Sequence, residues 1–213
     1  MAGFTITVAQ QKGGSGKTTL AVNLAVEFWK RGHTVAVLDT DPQGSLGRWY
    51  MTRREAMGDE AGLDFATASA WGVSYELEKL RKTNEIVIVD TPPKVDSDLR
   101  PAMRASDVVV VPVSVSAVDV WATDSILEMA RREGKKTLMV LNRAAPRAKL
   151  TGEITEKLEE LDSPKSETVL NSRVIYAEVL GLGQGVVEKS AKSPAAVEVR
   201  SLANEIADVL NDA

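Results

Sequence analysis

The chain has 213 residues, with 26 lysines and arginines against 30 aspartates and glutamates and a formal net charge of −4. That balance, with a pI near 5.2, excludes a uniformly basic surface of the kind that holds nucleic acid by charge alone. There is no cysteine, which rules out a disulfide framework and a cysteine-held iron–sulfur cluster; no apolar run approaches the roughly 18 residues a membrane-crossing helix needs.

In chain order, an apolar strand is predicted near 4–10 and runs directly into Gln10-Gln11-Lys12-Gly13-Gly14-Ser15-Gly16-Lys17-Thr18-Thr19. Leu20, Leu24, Ala25 and Phe28 follow at helical spacing and predict a helix near 17–31. A second strand, near 34–39, ends in Asp39-Thr40-Asp41-Pro42-Gln43-Gly44-Ser45. The stretch 43–62, with Arg48, Arg53 and Arg54, reads as a helix and loop that change with nucleotide. A strand near 63–68 and a helix near 73–82 lead to a strand near 85–90, which ends in Asp90-Thr91-Pro92-Pro93. Helices are predicted near 97–105, 118–132, 150–161 and 194–211, and strands near 107–113 and 136–142.

Alternating strands and helices, with runs such as Val108 to Val111 that are apolar on both faces, predict a doubly wound, mostly parallel α/β sheet flanked by helices. A chain of this length is expected to form one domain over 1–213. No internal repeat or long linker is visible, and a strand starting within a few residues leaves no room for a signal peptide.

Strand, glycine loop and helix in this order form a phosphate-binding loop. Gly13, Gly14 and Gly16 lack the Cβ that would keep the backbone, with Ser15, from wrapping a phosphate chain, so consecutive N–H groups converge at a helix's positive end. Lys17 is placed to reach the β and γ phosphates, Thr18 to ligate Mg²⁺, and Thr19 to contact the α phosphate. The general motif has glycine at position 11, where this chain has Gln11; the narrower pattern Lys-Gly-Gly-x-Gly-Lys-Thr-Thr is matched in full. Asn142, at a strand end, offers a donor and an acceptor to an adenine edge. Nothing resembles the Asn-Lys-x-Asp guanine reader, so ATP is expected over GTP. His33 has no metal-ligand partner at useful spacing and reads as structural.

The narrower loop resembles the deviant Walker A box of the ParA/MinD family of ATPases. The segments at Asp39–Gln43 and Asp90–Pro93 resemble that family's two switch segments, and the likeness extends from Thr5 to about Leu210. The resemblance implies that Lys12 crosses to the nucleotide of a second subunit, much as an arginine finger acts in trans. It makes Lys12, Lys17 and Asp41 the catalytic set, with Asp41 orienting the attacking water. Asp39 is then near the metal shell, and Asp90 holds Mg²⁺ through a water. The cysteine-free composition removes the nitrogenase iron protein branch of the wider superfamily.

The partners implied are a second copy in the ATP state, non-specific DNA of the nucleoid, and a ParB-like or cargo-bound activating protein. The setting is cytoplasmic and the cargo a plasmid, a chromosome region or a protein cluster. Seven basic residues between 131 and 149 (Arg131, Arg132, Lys135, Lys136, Arg143, Arg147, Lys149) are candidates for phosphate contact. The last helix carries Glu198, Glu205, Asp208 and Asp212 against Arg200, a face an anionic bilayer would repel, so no membrane attachment is expected. The chain begins at the nucleotide-binding strand without a helix-turn-helix extension, so operator repression is not expected. Arg173-x-x-Tyr176-x-Glu178 resembles a segment of short ParA-like proteins that meets a partner or the dimer interface. Two other readings stay open: a small-molecule ligase of the dethiobiotin synthetase type, and a membrane-surface MinD-like regulator.

Overall fold

A computed structural model of the chain describes residues 3–69, 71–93 and 99–211. Six strands form one sheet: β1 (Phe4–Val8), β2 (Val35–Asp39), β3 (Asp64–Thr67), β4 (Ile86–Asp90), β5 (Val108–Ser114) and β6 (Lys136–Asn142). Their order is β3-β2-β4-β1-β5-β6, and every pairing among them is parallel. Chain order reverses direction at β1, which lies between β4 and β5, so the loop leaving β1 opens into the crevice where open α/β sheets bind ligands.

The helices are α1 (Lys17–Lys30), α2 (Ser45–Met57), α3 (Gly72–Thr83), α4 (Leu99–Ala105), α5 (Ala117–Arg132), α6 (Lys149–Glu159), α7 (Val174–Gly181), α8 (Val186–Lys189) and α9 (Pro194–Asn211). Strand residues alternate between two packed layers. Ile6, Val8, Val108 and Val110 join Leu20, Leu24 and Phe28 of α1 and Val199, Leu202 and Ile206 of α9 in one core. Val109, Val111 and Val113 face Ile126 of α5 and Ile154 and Leu158 of α6 on the other side. Burying each such side chain contributes about 1.5–3 kcal/mol, which holds α1 against the sheet.

The expected fold class holds, with the sheet parallel throughout. The stretch 43–62 is definite: α2, then a 3₁₀ turn over Gly58–Ala61. α7 and α8 occupy 174–189, a stretch for which no element was predicted. The predicted start of the fourth helix, at 97 and 98, lies outside the described residues, as does Asp212.

Glu198 and Glu205 do not form a solvated acidic face. Glu198 accepts from the Asn171 N–H at 3.2 Å and from Asn171 Nδ2 at 2.7 Å. Glu205 accepts from the N–H groups of Glu167 and Thr168, both at 3.0 Å. Together they pin the segment that runs along the β6 edge. Among the described residues no helix is long and apolar enough to cross a membrane.

Candidate nucleotide site

Parallel register sets the acidic side of the site. Asp90 is paired with Val8 on one side and with Asp39 on the other, so both carboxylates stand at the sheet's C-terminal edge beside the glycine loop. The loop's turns need glycine at two places: Gly14 has φ +78° and Gly16 φ +93°. A Cβ on Gly16 would lie 2.5 Å from Asn142 Nδ2. Gly16 caps α1 without any side-chain hydrogen bond, which leaves the first N–H groups of the helix free for an anion.

Two hollows meet over this helix end. One, of about 470 Å³, is lined by Gly13, Lys17, Thr18, Asp41, Trp49 and Thr52, among others. The second, of about 270 Å³, is lined by Asn142, Asn171, Arg173, Tyr176 and Ala177, among others. Gly16, Thr19, Arg143 and Leu180 line both. The result is one groove with a cationic, glycine-rich end and an amphipathic end, the shape and polarity of a nucleoside triphosphate.

Lys17 is 7% exposed. Burial lowers its ammonium below the ordinary lysine range, and the charges of Asp90 and Asp41 partly counter this. Its Nζ lies 3.5 Å from the carbonyl of Lys12. Thr18 Oγ1 donates to Asp90 Oδ2 at 2.5 Å. Burial lifts the Asp90 carboxyl to about 7 against the pull of the Thr18 hydrogen bond, with Asp39 adding to the rise. Asp90 Oδ1 is buried with no hydrogen-bond partner among the described residues. A hydroxyl beside a buried carboxylate with an orphaned oxygen fits a hydrated divalent cation, whose charge would offset the desolvation that raises the carboxyl.

Asp39 is spent on backbone: its Oδ1 accepts from the Asp41 N–H at 3.0 Å and its Oδ2 from the Gly47 N–H at 2.8 Å. It therefore shapes the loop that carries Asp41 and starts α2. Burial raises the Asp39 carboxyl as well. Asp41 faces the phosphate end of the groove, and its Oδ1 accepts from the Gln43 N–H at 2.9 Å. Asn142 donates from Nδ2 to the Ser15 carbonyl at 2.8 Å and accepts at Oδ1 from the Arg143 N–H at 2.9 Å. Its amide thus ties the glycine loop to the end of β6 and, through its own turn, holds Arg143 at φ +56°.

These features define a nucleotide-binding domain, and the sequence comparison agrees. The CobQ/CobB/MinD/ParA nucleotide-binding domain matches residues 6–181, well over half the chain. The chain belongs to this family. Among ParA/MinD relatives, it is 31% identical over 216 residues to "Maintenance of carboxysome distribution protein A" of Halothiobacillus neapolitanus, covering 98% of this chain and 95% of that one. It is 28% identical over 237 residues to "Chromosome-partitioning ATPase Soj" of Thermus thermophilus, with 94% of each chain covered. In fold it is similar to the septum site-determining protein MinD of Pyrococcus horikoshii, solved with Mg-ADP, at a TM-score of 0.79, 19% identity and 95% coverage of both chains.

Several residues of this ParA/MinD-type site escaped sequence reading. Lys12 is held by Asp119, 107 positions away on α5, at 2.6 Å, a pairing only the fold reveals. Glu198 of α9 accepts from Arg173 Nη2 at 2.7 Å and from the Tyr176 hydroxyl at 3.3 Å, and so braces the wall of the smaller hollow. Arg173-x-x-Tyr176 was noticed as a motif, and its two polar groups converge on this carboxylate; Glu178 is exposed. Of the seven basic residues between 131 and 149, Arg131 pairs with Asp162, Arg132 with Glu128 and Lys149 with Glu153, while Lys136 donates to the Val209 carbonyl. The run is therefore not a continuous unpaired cationic surface.

Proposed function

We propose that residues 1–213 act as one Mg²⁺-dependent ATPase domain that pairs with a second copy when ATP is bound, holds duplex DNA without sequence preference in that state, and positions a cargo. One observation carries the reading: the loop has two lysines in different environments. Lys17 is 7% exposed inside the groove, whereas the Lys12 side chain is 40% exposed on its rim. The buried cation suits the molecule's own β and γ phosphates. The exposed one suits the phosphates of a second nucleotide, where it would offset charge that one subunit leaves open. The similarity to a carboxysome-distribution protein and to a chromosome-partitioning ATPase supports the same reading.

In this proposal Gly13, Gly14, Ser15, Gly16 and Thr19 cradle the phosphates with Lys17. Thr18 and Asp90 hold Mg²⁺, with Asp39 behind them fixing the loop. Asp41 accepts a hydrogen bond from the attacking water, and Asn142 stands at the base end with one amide hydrogen beyond its bond to Ser15. The metal, when bound, supplies charge neutralisation at the β and γ oxygens. Two copies present twice the phosphate contacts, so DNA affinity follows the ATP state. Lys135 and Arg147, which enter no ion pair among the described residues, are the first DNA contacts to test. A cargo-bound protein that stimulates hydrolysis would then release the pair.

The test is binding to non-specific duplex DNA at a fixed salt concentration without nucleotide, with ADP and with ATP, while light scattering follows particle mass. Dimer and DNA complex are expected with ATP alone. ATP binding with neither would move the assignment to a small-molecule P-loop enzyme, and ATP-dependent sedimentation with anionic liposomes to a membrane-surface regulator.

A further inference from the structure

Arg53 lies on α2 with no exposed surface, an unusual place for a guanidinium. Its Nε donates to the Ala61 carbonyl at 2.6 Å and its Nη1 to the Gly183 carbonyl at 3.0 Å. A two-pronged pair reaches Glu188 of α8, Nη1 to Oε2 and Nη2 to Oε1, both at 2.9 Å. The indoles of Trp29 and Trp49 flank the guanidinium, at 5.1 and 5.6 Å from ring centre to Cζ. Glu188 is itself fixed, since its Oε2 also accepts from the Gly185 N–H at 2.9 Å. Backbones meet as well: Gly183 has φ +65°, and a Cβ there would lie 2.4 Å from the Arg53 nitrogen.

A buried ion pair alone is weak support for anything beyond stability. Its position gives this one a further consequence. Trp49 sits one turn before Arg53 on the same helix face; it lines the phosphate end of the groove and donates from Nε1 to the Gln184 carbonyl at 3.2 Å. On the other side of the joint, Leu180 of α7 lines both ends of the groove. The loop from Asp41 enters α2 directly through Gly44 and Ser45. A change at the phosphates that moves Asp41 and Trp49 therefore meets a rigid, planar, multiply bonded link to the segment 174–189.

We propose that Arg53 and Glu188 are a positioning pair that makes α2 and the α7–α8 segment one moving wall of the nucleotide groove, rather than a free switch helix beside a fixed pocket. The inference rests on the nucleotide reading above for its ATP-dependent part only. The joint itself is a property of the empty protein.

Hydrogen exchange of the full chain, wild type and Glu188→Gln, tests it. In nucleotide-free Glu188→Gln, amides of 45–57 and of 174–189 should exchange faster together by about tenfold, while α6 keeps its wild-type rates. Faster exchange in 174–189 with 45–57 unchanged would overturn the joint, whatever ATP does. With ATP added, both segments of the wild type should slow together. In Glu188→Gln the ATP concentration for half-maximal binding should rise about tenfold, a misplacement effect that a merely structural role would not give. Wild-type ATP affinity in that variant, with both segments still slowed together, would also overturn it. A wild type that binds no ATP would count against the nucleotide reading, and the exchange of the empty protein would still decide the joint.

Discussion

Lys12 Nζ and Asp119 Oδ2 lie 2.6 Å apart, the lysine 40% exposed and the aspartate 1%. Asp119 Oδ1 has no hydrogen-bond partner among the described residues, so Lys12 is the main compensation there for a buried carboxylate. Lys12→Ala should therefore destabilise the empty protein by about 1–2 kcal/mol, given the lysine's partial exposure. Adding Asp119→Asn should recover most of that loss. Thermal melts of the two singles and the double check it; a double mutant no more stable than Lys12→Ala would remove the argument. Asp119→Asn alone should free Lys12 and let ATP-dependent pairing, if it occurs, begin at lower ATP.

Asp90→Asn should stabilise the nucleotide-free protein while abolishing Mg²⁺-dependent ATP binding. The folded carboxyl titrates at about 7 against 3.8 as its ordinary value, so its charged form opposes folding. That cost is absent below about pH 4, grows between the two values and is complete above about pH 7, where it is on the order of a few kcal/mol. Melting temperatures of Asp90→Asn and wild type should thus diverge at pH 8 and converge toward pH 5. In the wild type, Mg²⁺-dependent nucleotide affinity should weaken as pH falls through 7, because a proton competes for the same oxygens.

Gly16→Ala should fold but lose nucleotide affinity by about a hundredfold or more, because a left-handed residue and a contact at 2.5 Å are both imposed on it. Removing the contact through Asn142→Ala in the same chain should give at most partial recovery, since the backbone conformation remains unfavourable. Equilibrium dialysis with ATP distinguishes the two; full recovery would mean that steric crowding alone dictates glycine there.

Glu198→Ala should cost about 2–3 kcal/mol, leaving Arg173, Asn171 and Tyr176 without their shared acceptor. Glu198→Gln, which keeps one acceptor oxygen, should cost less. Because burial, and after it contact with Glu198, raises the Tyr176 hydroxyl, and the Glu198 hydrogen bond raises the Arg173 guanidinium, neither titrates near neutrality. The loss should be flat between pH 6 and 9, and chemical denaturation at several pH values measures it.

The parts legible in the sequence were those with local causes. A glycine loop between a strand and an amphipathic helix, and acidic residues at the ends of apolar runs, mark the sheet's C-terminal edge without any tertiary information. What stayed hidden is made by distance. Arg53 looked like one charge in an undetermined stretch because its partner Glu188 is 135 positions away. No element was predicted over 174–189, because Gly183 is there for a close backbone approach to Arg53 and Gly185 is gripped by Glu188, both contacts made across the fold. The acidic residues of α9 read as one face that a bilayer would repel, because nothing local tells an exposed glutamate from one that accepts backbone N–H groups across the fold. Asn142 was read as offering a donor and an acceptor to an adenine edge; in the fold they meet the Ser15 carbonyl and the Arg143 N–H, contacts that depended on where β6 ends relative to the glycine loop.

The brace that Glu198 gives the wall of the smaller hollow comes from α9, after every strand of the sheet. A chain emerging from the ribosome at about 5–20 residues per second has its glycine loop outside long before that carboxylate arrives. Until then Asn171, Arg173 and Tyr176 lack their common anchor, so an arrested nascent chain ending before residue 198 should hold ATP poorly. Nucleotide capture would then be a late event in the protein's synthesis, and a measure of whether the last helix has docked.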